Sequence, residues 1–187
     1  AMGADALLAY RRDRGRWRLV QRIDDPGTDS AFARTVAISG TTLVVAALRG
    51  NGRTADTGVA HVYRDENGRW SLAQTLSLPN GNAQDMFGHW VAIDDGIILV
   101  GAHQRLMSAG LAYAYRQSGT QWTLEAVLNP PDAWRRRMSA YAVDIDAGTA
   151  VLNPGNELLA GGPLQSPGSG GVYVAEIDTA RHEKQGS

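Results

Sequence analysis

The chain has 187 residues, 43% hydrophobic and 20% charged. That is enough for one domain with a real core and too apolar for a disordered chain. Eighteen lysines and arginines against nineteen acids give a net charge of −1, which excludes a global attraction to nucleic acid or anionic membrane. With no cysteine there is no disulfide and no thiolate metal site, and the compartment stays open.

The opening Ala1-Met2-Gly3 reads as an expression scar, so a leader or a neighbouring segment is expected to have been removed. No apolar run approaches the roughly 20 residues of a membrane helix, so no membrane insertion is expected. Arg11, Arg12, Arg14, Arg16 and Arg18 crowd the first strands and read as a solvated face. The first predicted strand, Leu7 to Arg11, ends in Tyr-Arg and passes through a link holding Gly15 to a strand that begins at Trp17. The same Tyr-Arg, glycine link and tryptophan strand return at Ala60–Arg64, Gly68 and Trp70, and again at Ala112–Arg116, Gly119 and Trp122. Leu19, Leu72 and Leu124 follow two places after each tryptophan, and Ile23, Leu76 and Leu128 six places after. Alternation at period two predicts that all of these share one strand face. Arginines and glutamines of this outer strand are expected to face water.

Each tryptophan strand runs into a Pro/Gly/Asn/Asp loop and then an inner hairpin. Its first strands are Thr35–Ile38, Trp90–Ile93 and Ala142–Ile145, and its turns are Ser39-Gly40, Asp94-Asp95-Gly96 and Asp146-Ala147-Gly148. Its second strands are Leu43–Ala47, Ile98–Ala102 and, after an insertion around 151–157, Leu158–Gly162. These near-continuous small or β-branched runs suit strands buried on both faces. No helical period competes, and 132–138 offers at most a single turn.

A period of about 50 residues with four antiparallel strands per copy predicts an all-β fold of β-propeller-type blades. The chain divides into an outer half-blade (5–31), two blades (32–78 and 87–128), an incomplete blade (139–177) and a tail (178–187). Two, four, four and three strands amount to about three blades, short of the four to eight that close a ring. Either blades come from a longer chain, or a homodimer completes the assembly.

At Phe87-Gly88 followed by Gly101-Ala102, the repeat resembles the FG-GAP family, the blade unit of integrin α-subunit propellers and of many secreted bacterial proteins. The first copy keeps Phe32 and has Ala46-Ala47-Leu48; the third shows Ser139-Ala140 and Gly161-Gly162-Pro163. The resemblance implies a secreted or cell-surface module. Calcium-binding members carry an Asp-x-Asp-x-Asp-Gly loop between the inner strands, and the turns here are too short to wrap an ion that needs six to eight oxygens. No metal or other cofactor is therefore expected.

His61, His89, His103 and His182 show no ligand spacing. Ser169 lies among glycines that read as a turn, and no Gly-x-Ser-x-Gly elbow is present. The chain is thus read as non-catalytic. The variable parts are the loops between the second and third strands: 48–57, 103–109 and 163–169. They share one face with the links between blades, and rigid strands holding variable loops is how such scaffolds bind. Arg49, Asn51, Arg53, Asp56, His103, Arg105, Trp134 and Arg135 are the candidate ligand-binding residues, with Asp29 and Asp85 beside them. A protein partner is the first expectation. A glycan is the alternative, if Trp17, Trp70 and Trp122 form exposed aromatic platforms. An accessory domain of a larger secreted enzyme is a third.

Overall fold

A computed structural model describes residues 6–27, 31–52, 54–105, 110–129, 139–154 and 172–177. Within these, thirteen strands form four antiparallel sheets. The first sheet pairs β1 (Ala6–Asp13) with β2 (Arg16–Asp24). The second has the order β3 (Phe32–Ser39), β4 (Thr42–Ala47), β5 (Val59–Glu66), β6 (Arg69–Leu76). The third repeats it with β7 (Phe87–Asp94), β8 (Ile97–Ala102), β9 (Leu111–Ser118) and β10 (Gln121–Leu128). The fourth contains β11 (Ser139–Asp146), β12 (Thr149–Pro154) and β13 (Tyr173–Glu176). The count of two, four, four and three strands expected from the repeat is met among the described residues. Among the described residues no helix is long and apolar enough to cross a membrane.

Tight hairpins explain the local chain reversals. Asp95 (φ 37°) with Gly96 (φ 74°), and Ala147 (φ 46°) with Gly148 (φ 82°), occupy two-residue turns with both centres left-handed. Their twist matches that of the flanking strands. The carboxylate of Asp94 accepts a 2.9 Å bond from the Ala147 amide at the equivalent turn of the next sheet.

The second strands β4 and β8 are buried along their whole length, as their apolar runs require. Neighbouring sheets meet face to face and touch most densely along their first strands, β3, β7 and β11. These line a trough of about 520 Å³ that includes Val36, Ile38, Trp90, Ile93 and Asp144. One apolar cluster joins Val44, Val62 and Leu76 of the second sheet to Phe87, Tyr115 and Trp122 of the third. A second joins Leu99 and Ala114 to Val143 and Leu152, and a third joins Ile23 and Leu7 to Leu43 and Tyr63.

Three expectations change. The partner of β11 is Thr149–Pro154, directly after the Gly148 turn, so Val151 lies in a strand and not in an insertion. A two-residue turn carries the chain straight into the Thr-Ala-Val-Leu run, which already supplies the β-branched and apolar residues the position needs. Residues 158–162 lie outside the described residues, as does 132–138. Next, the tryptophan strand does not keep one face. Register shifts between Leu19 and Gln21, Leu72 and Gln74, and Leu124 and Ala126 turn the later residues over. Leu72 is therefore exposed while Leu76 is buried in the cluster facing the following sheet. Finally, Gln21 and Gln74 do not face water. The Gln74 side chain accepts from the Trp122 amide at 2.8 Å and donates to its carbonyl at 2.9 Å. Gln21 brackets Trp70 in the same way, at 2.8 Å for both bonds. An outward-facing amide and carbonyl on an edge strand need partners, and the preceding sheet's glutamine supplies both.

Candidate functional site

The described parts of the loops after β4 and β8 gather at one end of the sheets with the link 77–86, and hydrogen bonds knit them together. Gly58 donates to the Gly50 carbonyl at 2.9 Å, closing the loop 48–58. Asn51 Oδ1 accepts from the Asp56 amide at 3.0 Å and shapes the turn within it. The Asp56 carbonyl takes the Gln84 amide at 2.8 Å, and the Thr57 carbonyl takes the Phe87 amide at 3.0 Å. Loop and link thus form one ridge.

On the other side of the link, Asp85 is buried and its carboxylate accepts from Arg105 Nη1 at 2.6 Å and from the Asn82 amide at 2.7 Å. This buried ion pair ties the loop after β8 to the same link. The segment 77–86 therefore runs between these two loops and is bonded to both.

The expected site residues divide into two groups. Arg49, Asn51 and Asp56 are exposed on the ridge. His103 and Arg105 point inward. Arg105 engages Asp85, and His103 packs edge-on against His89 at a 4.1 Å ring separation, with Tyr141 of β11 at 5.4 Å. They anchor loops instead of presenting themselves to a partner. Arg53, Trp134, Arg135 and Asp29 lie outside the described residues, as do 163–169 and His182. Sequence reasoning passed over Asn80, Asn82 and Gln84, which are exposed on the link. The signal was there in the amide-rich stretch Pro79-Asn80-Gly81-Asn82, taken only as a connection.

Burial lowers the His103 pKa to about 4, with His89 and Arg34 acting in the same direction. His89 is also lowered, first by burial; a 3.1 Å contact from its Nδ1 to the Tyr141 carbonyl opposes this and Arg34 adds to it. Both rings are neutral at pH 7 and serve the contact between third and fourth sheets.

Three left-handed residues other than glycine lie on the ridge: Asp56 (φ 62°), Gln84 (φ 68°) and Met86 (φ 59°). Such conformations cost about 1–2 kcal/mol each and persist where surrounding bonds hold them. Here the Asp56–Gln84 and Met86–His89 backbone bonds do so. Among the described residues the ridge is therefore a preformed surface carrying Arg49, Asp56 and several amides. Among the described residues no group of three or more potential metal ligands comes together. The apolar trough offers Asp144 and Asn153 but little convergent polar chemistry.

The repeat's glycines sit where sheets touch. Phe87 is fully buried against Tyr113 and Tyr115, and it pairs with Ala102 across β7 and β8. A Cβ on Gly88 would lie 3.1 Å from the Ala46 methyl and 3.0 Å from the Val59 carbonyl oxygen of the preceding sheet. A Cβ on Gly101 would collide with the Ala140 carbonyl oxygen of the following one. The Phe-Gly and Gly-Ala pairs are thus packing devices between blades.

No curated protein matches the chain. Residues 70–115 match the family model of the FG-GAP repeat, a span that runs from the fourth strand of one sheet through the third strand of the next. With the strand pattern of that span recurring before and after it, this chain carries an FG-GAP repeat within an all-β, propeller-type array.

Proposed function

We propose that this chain is a non-catalytic interaction module that binds a protein partner through the ridge formed by 48–58, 77–86 and the loop after β8. FG-GAP repeats are typically non-catalytic, and the match over 70–115 supports an interaction role. The observation that carries the proposal is the contrast between frame and ridge. Strand positions repeat, with β4 and β8 buried throughout, whereas Arg49, Asn51, Asp56, Asn82 and Gln84 differ between copies and are exposed on backbone fixed by cross-loop bonds. The resemblance to secreted and integrin-type blades supports a location outside the cell or on its surface.

A glycan-binding reading has less support. Repeated aromatic platforms would need equivalent exposure at equivalent positions, but Trp17 is exposed, Trp70 half-buried and Trp122 buried. The test compares an Arg49→Glu/Asp56→Lys variant with an Arg14→Glu/Asn67→Asp control at the opposite end of the sheets. Both are screened against a panel of purified extracellular proteins and a glycan array. The proposal expects protein binding that the ridge variant loses and the control keeps. Binding confined to glycans, or abolished only by the control, would contradict it.

A further inference from the structure

The junctions between successive sheets are built differently. In the first two, the glutamine four places after the tryptophan holds the next sheet, through Gln21 to Trp70 and Gln74 to Trp122. In the third sheet that place is Ala126. The cluster joining second and third sheets is filled by Phe87, Tyr113, Tyr115 and Trp122. The buried members of the cluster joining third and fourth are aliphatic, and Ala92, Ala112, Ala114, Ala140 and Ala150 are among them. An alanine-rich contact buries less apolar area and opens at lower cost.

The same junction carries two histidines. Phe87 pairs with Ala102 as Phe32 pairs with Ala47, so His89 and His103 correspond to Arg34 and Leu48 of the second sheet. His103 thus stands where the second sheet has a buried leucine. The two rings are both buried and lie edge-on at 4.1 Å, and the Tyr141 ring of β11 packs at 4.3 Å from His89. Among the described residues, the groups that act on the pair are the rings themselves, Tyr141 and the Arg34 charge of β3, with no carboxylate among them. His103 Nδ1 is buried with no hydrogen-bond partner. A proton on either ring would create a buried cation beside a second imidazole and an arginine, with no anion to offset it.

We propose that the contact between third and fourth sheets is an acid-opened junction: His89 and His103 take up protons by leaving it, and the fourth sheet separates while the second and third stay packed. The neutral rings favour the closed form. Once open, His103 titrates at its ordinary value of 6.5, whereas in the closed form it stays neutral down to about 4. The open form therefore gains as pH falls through that window, by up to about tenfold per pH unit for each proton taken up. His89 acts in the same sense. At the turn end of this junction Asp94 holds the Ala147 amide at 2.9 Å, so its carboxylate is the control group. The inference needs no ridge partner.

The chain has no cysteine, so one introduced thiol reports one site. Val143→Cys probes the cluster between third and fourth sheets, and Val62→Cys the cluster between second and third; both positions are buried. The full chain is labelled with dithiodipyridine, which reacts in acid, between pH 7 and pH 4.5, and each rate is divided by that of the urea-unfolded chain at the same pH. Labelling of Val143→Cys is expected to rise about 10–100-fold between pH 6.5 and pH 4.5, and that of Val62→Cys several-fold less. The rise should vanish in a His89→Gln/His103→Leu background and persist with Asp94→Asn. If circular dichroism shows the double variant unfolded at pH 7, His103→Leu alone, which restores the second sheet's residue, should reduce the slope. An unchanged rate at Val143→Cys or equal rises at both thiols would overturn the proposal. So would a rise that the histidine variants keep or that Asp94→Asn removes.

Discussion

Gln74 holds the backbone of Trp122 from the neighbouring sheet, accepting from its amide at 2.8 Å and donating to its carbonyl at 2.9 Å. The Gln21–Trp70 pair repeats the arrangement one sheet earlier. Each glutamine follows its own strand's tryptophan by four residues, so every copy that has both reaches forward to the next. Gln74→Ala removes two part-buried bonds and strands the groups they served, a loss of about 1–3 kcal/mol. Urea unfolding should show that loss, while Leu72→Ala, at an exposed position on the same strand, should fall within about 0.5 kcal/mol of wild type.

Small residues set the distance between sheets, and one of each facing pair is glycine. Ala46 faces Gly88 across one junction, and Gly101 faces Ala140 across the next. Gly88→Ala brings two methyls into contact at φ +89° and is expected to destabilise by about 1–3 kcal/mol. Adding Ala46→Gly should recover part of the loss, because it removes the methyl contact although not the Val59 carbonyl contact or the backbone strain. Thermal melting of the single and double variants measures the recovery. No recovery would mean that backbone conformation and the Val59 carbonyl, and not the Ala46 methyl, require Gly88.

Asp85 is buried and meets both Arg105 and the Asn82 amide. Removing one partner of a buried pair leaves the other charge uncompensated, so Asp85→Ala is expected to cost about 3–5 kcal/mol. Arg105→Met with Asp85→Leu should be closer to wild type than Asp85→Ala alone. Chemical denaturation of the three proteins provides the check.

His103 supplies a pH dependence of known sign. Its pKa falls from 6.5 in the unfolded chain to about 4 in the folded one, chiefly through burial. A base with a lowered folded pKa is at full stability above its unfolded value. Stability then declines as pH falls from about 6.5 to about 4, because the unfolded state takes up the proton first. His89 is shifted in the same direction and adds to the slope. Melting temperatures between pH 7 and pH 4 should fall, and His103→Gln should flatten the decline relative to wild type.

Much of the frame was legible in the sequence because strands impose a period. Trp17, Trp70 and Trp122 with their Tyr-Arg partners mark the repeat, and β4 and β8 are as buried as their unbroken apolar runs imply. What period two could not reveal is the register shift after each tryptophan strand begins, which sends Leu72 and Leu76 to opposite faces. Nor could it place β12, since Thr149–Pro154 and Leu158–Gly162 are both plausible strands until a two-residue turn selects the nearer one. At the site, the described loops that the sequence singled out lie at one end of the sheets. Loop chemistry could not distinguish Arg49 and Asp56, which are exposed, from His103 and Arg105, which turn inward to Tyr141 and Asp85. That difference depends on long-range neighbours whose sequence separation leaves no local mark.

The central claim is a division between a rigid frame of stacked sheets and a ridge that rides on it. Amide hydrogen exchange on the full chain tests it most directly. Slow exchange is expected along β4 and β8 and at the Trp70 and Trp122 amides, with the Trp122 protection lost in Gln74→Ala and the amides of the exposed residues Arg49, Thr54 and Ala55 exchanging fast throughout. A Trp122 amide that exchanges as freely as an open edge strand, or equal protection across frame and ridge, would contradict the account.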